Sequence, residues 1–145
     1  MSVEEVRKAS DQFYATLNRA LNGGITDDMF DVFSQAGDVT TMHPLGGRQT
    51  GWTEVRPSWE MAANSASGGS VVVNDLQITM LGSDAAYTIG TETASASVGG
   101  TPLSFSGRCT NVYRRENGTW KLVHHHVDLM PGVAEAFQAA MSQAS

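Results

Sequence analysis

Along the first part of the chain apolar residues return every three or four positions. Val6, Ala9, Phe13, Leu17, Ala20 and Leu21 form one stripe, which predicts a helix from about Val3 to Leu21 with that face buried. Asn22, Gly23 and Gly24 close it, because glycine takes the left-handed conformation in which helices end. A shorter helix is expected next. Thr26 would cap it, Asp27 and Asp28 suit the positive end of its dipole, Met29, Phe30, Val32 and Phe33 form its buried side, and Gly37 stops it. Residues 38–51, "DVTTMHPLGGRQTG", read as a short strand, a proline and glycine corner beginning at His43, and a second short strand. A third helix follows from Trp52 to Asn64, with Pro57 early enough to be tolerated or to kink it, and "SASGGS" reads as a loop.

From Ser70 the period changes from that of helices to that of strands. The runs "VVVNDLQITML", "AAYTIGTETASASV", "LSFSGRCTNVYRRE" and "TWKLVHHHVDLM" are separated by the turn sequences "GSD", "GGTP" and "NG". Consecutive strands with tight turns form an antiparallel meander. Three helices followed by such a sheet predict an α+β cone, with the helices on the concave face of a strongly curved, mostly antiparallel sheet. No repeat or linker divides residues 1–145, so one domain is expected.

Composition narrows the function classes. The net charge of -6 and the scattering of only nine Lys and Arg residues argue against nucleic acid as a partner. Cys109 is the sole cysteine, which excludes an internal disulfide framework. With no secretory pattern at the start and no long apolar run, no membrane partner and a cytoplasmic location are expected.

Three pieces carry a family resemblance: "TMHPLGGRQTG" (residues 41–51), the following "EVRPSWE", and the hairpin "RCTNVYRRENGTWKLVHHHVD" (residues 108–128). Together with the order of elements they resemble the NTF2-like superfamily, in its SnoaL-like and ketosteroid-isomerase-like part. The hairpin is also similar to that of the association domain of calcium/calmodulin-dependent kinase II. The fold hosts many activities, so the resemblance speaks for architecture before chemistry. It implies that His43 stands where the isomerases keep their basic aspartate, and Trp59 where they keep a pocket tyrosine. It also places Phe13 at the position of their helix tyrosine, with Tyr14 one residue away, and Thr110 or Asn111 at that of their protonated aspartate. Steroid isomerisation therefore lacks its two acid groups here. Scytalone dehydratase, another relative, uses histidines, an aspartate and tyrosines, residue types available in His43, His125, Tyr14 and Asp11.

The histidine run divides by strand alternation. His124 and His126 share a face with Trp120 and Leu122, and His125 shares the other with Val123 and Val127, unless a bulge intervenes. The resemblance implies that the Val123, His125 and Val127 face lines the cavity, while the other packs against a second subunit. A metal at His124 and His126 would need further ligands from His43, Cys109 or Asp128, and no metal or other cofactor is expected. Arg48, Arg56 and Arg108 could neutralise an anionic ligand or equally be solvated or paired, Cys109 reads as a small buried hydrophobe, and "GGRQTG" lacks the features of a phosphate loop.

The expected protein is thus SnoaL-like, with a cavity for a small, mainly apolar molecule. It would be a lyase or isomerase with His43 and His125 as catalytic residues and Tyr14, Trp59, Asn111 and Val127 around the ligand. The alternative is a non-catalytic ligand-binding or association module. In either case a homodimer through the outer sheet face is expected.

Overall fold

The computed structural model describes residues 2–24, 27–44 and 46–129, with residues 139 and 142 beyond them. Three helices come first in the chain: α1 (Ser2–Gly23), α2 (Asp27–Asp31) and α3 (Trp52–Asn64). The short strands β1 (Thr40–Met42) and β2 (Gln49–Thr50) lie between α2 and α3. The long strands β3 (Ala66–Met80), β4 (Ala85–Val98), β5 (Thr101–Glu116) and β6 (Thr119–Leu129) follow. The sheet order is β2-β1-β6-β5-β4-β3, antiparallel throughout except where β1 runs parallel to β6. This is the α+β architecture read from the sequence.

Local chemistry explains the meander. Asn117 and Gly118 have φ of 52 and 81°, the pair of left-handed residues that a two-residue hairpin needs if its strands are to keep their right-handed twist. Two bulges in β3, between Ser67 and Ser70 and between Asn74 and Gln77, bend that strand. The stripe of α1 then packs into the concavity, with Val6, Phe13, Leu17 and Ala20 all buried. Phe13 meets Phe33 and Trp59 edge-on at 5.8 and 5.9 Å between ring centroids, tying α1, the segment after α2, and α3 together.

Three details differ from the expected elements. The second helix stops at Asp31, because Phe33 is drawn into a bridge with Leu122. Ser34 N donates to Leu122 O at 2.9 Å and Leu122 N donates to Val32 O at 2.8 Å, so this segment pairs the edge of β6 beyond the reach of β1. The stretch "SASGGS" is mostly strand, since Ala66 and Ser67 pair with Val98 and Ser97 despite having no apolar run to announce them. The third difference is a bulge in β6. Val112 pairs with His124 and Tyr113 with Leu122, which leaves Val123 as an extra residue. Trp120 and Leu122 therefore lie in the core on the same side as His125 and Val127, not with His124 and His126. Thr26 and Met130 lie outside the described residues.

Candidate functional site

His43 immediately follows β1, before the corner that Pro44 begins, and its ring returns over α3. Its Nε2 lies 3.0 Å from Ser58 Oγ, and its ring centroid is 4.7 Å from that of Trp59. Ser58 spends its own proton on Val55 O at 2.7 Å, one turn back along α3. Ser58 Oγ must then accept from the histidine, so Nε2 carries the hydrogen and Nδ1 keeps its lone pair. Burial lowers the pKa of His43 below the usual histidine value, so the ring is neutral at pH 7.

His125 occupies an inward position of β6 at 2% exposure, between the rings of Phe13 and Trp59 at 5.3 and 5.2 Å. Its Nδ1 is 2.6 Å from Asn111 Oδ1 on β5. Asn111 Nδ2 donates to Tyr14 Oη at 3.2 Å, and Tyr14 donates to Glu92 Oε2 at 2.6 Å. The amide orientation that gives Tyr14 a donor leaves Oδ1 to accept from His125. His125 thus carries its hydrogen on Nδ1 and a lone pair on Nε2. Burial, with smaller contributions from the neighbouring histidines, pushes its pKa down to about 3. The chain of bonds crosses from β6 through β5 and α1 to β4.

Between the helices and the sheet lies a cavity of about 660 Å³. His43, Ser58, Trp59, Glu92, His125 and Val127 are among its lining residues, and most of the remaining wall is apolar. Two buried polar atoms of the lining residues, Trp59 Nε1 and Gln49 Oε1, have no hydrogen-bond partner among the described residues. Of the residues singled out from the sequence, His43, His125, Trp59 and Val127 stand on the wall. Tyr14 and Asn111 stand behind it, bonded to Glu92 and His125.

A family model described as a SnoaL-like domain matches residues 6–131. The chain belongs to that family. Among solved structures, it is similar to a candidate dehydratase of the NTF2-like family from Streptomyces avermitilis, with a TM-score of 0.78 and 22% identity over 90% of this chain and 97% of the other. A candidate calcium/calmodulin-dependent protein kinase type II association domain from Thiobacillus denitrificans superposes with a TM-score of 0.70 and 27% identity, over 86% of this chain and 94% of that one. A candidate aromatic ring hydroxylase from Novosphingobium aromaticivorans gives a TM-score of 0.76 at 16% identity, over 90% of each chain. Among curated proteins, F-box protein SKIP8 of Arabidopsis thaliana is 33% identical over 92 residues. That match covers 63% of this chain and only 37% of the plant protein's length.

The SnoaL-like domain also holds a wall residue that the sequence reasoning missed. Glu92 is 5% exposed, and burial raises its pKa above the usual carboxylate value, against the pull of the Tyr14 hydrogen bond. The signal was present: Ala86, Thr88 and Ala94 are the buried positions of β4, and Glu92 falls on the same period of two. On the outer face of the domain, His124 Nδ1 pairs with Thr40 Oγ1 at 2.6 Å and His126 Nε2 with Asp128 Oδ1 at 2.9 Å. Among the described residues no group of three or more His, Cys, Asp or Glu side chains is placed to hold a metal ion. Cys109, 3.7 Å from Tyr14 Oη, is buried, and burial together with Glu92 pushes its thiol up to about 11.

Proposed function

We propose that the cavity takes one small, mainly apolar molecule and that the protein is a cofactor-independent lyase or isomerase with His43 as general base. The observation that carries this reading is the state of His43. It stands on the wall of an apolar cavity, neutral, with Nε2–H committed to Ser58 and a lone pair left on Nδ1. Base-initiated reactions of both classes begin by removing a proton beside an activating group, and a fixed neutral imidazole does this. Trp59 and Val127 shape the wall, and the unpartnered indole N–H gives a ligand oxygen a donor. His125 contributes as a second catalytic group through its Nε2 lone pair, as a hydrogen-bond acceptor and not as an acid, because its folded pKa keeps it uncharged at neutral pH. Tyr14 and Asn111 hold His125 and Glu92 in place for the ligand. The activity in the name of the Streptomyces relative, a dehydratase, is of the same reaction class. A cytoplasmic setting belongs to the same proposal and accords with a lone, buried thiol.

Native mass spectrometry of the purified protein, followed by turnover assays on the compound it carries and its close analogues, tests this. His43→Gln is expected to lower kcat/KM on the order of 100-fold while leaving binding intact. Undiminished turnover in that variant sinks the base assignment.

A second reading, a dimeric association module, is favoured by the outer sheet face, where Val72 and Ile89 stand 53% and 41% exposed. The kinase association domain that the chain resembles is named for assembly, and the two readings share one dimer. If ligands never bind but the protein self-associates through this face, the second reading replaces the first.

A further inference from the structure

Glu92 is an unusual residue to find on this wall. It is 5% exposed, and among the described residues no Lys, Arg or His side chain forms an ion pair with it. Its hydrogen bond comes from Tyr14, whose oxygen in turn receives from Asn111, whose carbonyl receives from His125. Every proton in this chain is directed toward Glu92, so the carboxylate is the terminal acceptor. The other titratable groups of the wall offer it no positive charge, since burial lowers the pKa of both His43 and His125 and leaves them neutral at pH 7. The cavity thus contains one carboxyl group without a counter-ion, surrounded by mostly apolar wall. A carboxylate so placed takes up a proton or meets a cation.

We propose that Glu92 is a recognition site for a cationic amine carried on an apolar body. The proposal rests on the reading of the cavity as a small-molecule site and names the chemical class that fills it. The ammonium group would donate to Glu92, replacing lost hydration with a charge-assisted bond, while the apolar body lies along the wall near Trp59 and Phe105. Burial raises the pKa of Glu92, and a bound ammonium would pull it the other way by favouring the ionised form.

Isothermal titration calorimetry with naphthylmethylamine and naphthylmethanol, two probes of nearly equal shape, separates charge from burial. The amine is expected to bind wild type at least about 10-fold more tightly than the alcohol at pH 7. In Glu92→Gln, whose amide oxygen still accepts from Tyr14, the two should bind within about 3-fold of each other, because charge is the only term removed. Within wild type alone, amine affinity should fall as pH drops through the carboxyl titration while alcohol affinity stays level, which needs no variant to fold. Equal or tighter binding of the alcohol by wild type, or a preference for the amine that survives in Glu92→Gln, overturns the assignment of Glu92. If neither probe binds wild type, the cavity reading itself fails and this proposal falls with it.

Discussion

His125 is neutral because charging it would strand an imidazolium between Phe13 and Trp59 with, among the described residues, only Asn111 hydrogen-bonded to it. Its pKa of about 3 in the folded chain lies well below the ordinary value of about 6.5 that it regains on unfolding. The unfolded chain therefore binds the extra proton first, so this stabilising contribution is complete above pH 6.5 and is lost as pH falls toward 3. Burial shifts His43 and His124 the same way, whereas the raised carboxyl of Glu92 acts in the opposite sense once the acid range is reached. Between pH 6.5 and 5, His125 alone should remove about 2 kcal/mol of unfolding free energy. Urea denaturation at the two pH values measures it, and His125→Gln should lose that part of the slope. An equal slope in the variant would mean that the residue is not buried uncharged. At this scale residue type was legible in the sequence, since histidine invites attention, but partnership was not. Glu92 went unnoticed because its role depends on Tyr14, Asn111 and His125 arriving from three other elements.

Elements were legible where one pattern ran unbroken. The helix at Trp52–Asn64 and the strand at Ala85–Val98 have the ends that the sequence predicts, each framed by glycine or a turn and carrying a clean period. The failures have a common cause, which is that a long-range partner decided the outcome. The helix after Asp27 gives way to a bridge with Leu122, and the extra residue Val123 leaves no mark in a strand pattern that reads equally well without it. The glycines before Val71 belong here too. A Cβ on Gly69 would stand 2.5 Å from Leu21 Cβ, so this glycine, in a stretch that read as a loop, is what lets β3 approach α1. Gly69→Ala must push helix and strand apart and should cost about 1–3 kcal/mol of stability in denaturant titration. A neutral result would show that the helix slides freely on the strand.

For the whole molecule, the question left by the cavity is what covers the opposite face of the sheet. Helices fill the concave side, while the outer side presents Val72 and Ile89 beside a groove that includes Asp75, Arg108, His126 and Asp128. Apolar residues at the centre with charges of both signs around them suit a surface that meets its own copy across a two-fold axis, where each patch must complement itself. The net charge of -6 opposes association at long range, so a contact made through this patch should tighten with salt. Sedimentation equilibrium should therefore find a dimer, more stable at higher ionic strength. Ile89→Arg should yield a folded monomer, since Ile89 lies on the exposed side of β4 and its replacement leaves the inner wall untouched. The same variant should still bind any cavity ligand, because Glu92, His43 and His125 all face inward. A variant that remains dimeric would place the interface elsewhere, and one that loses the ligand on becoming monomeric would show that the dimer holds the cone in shape.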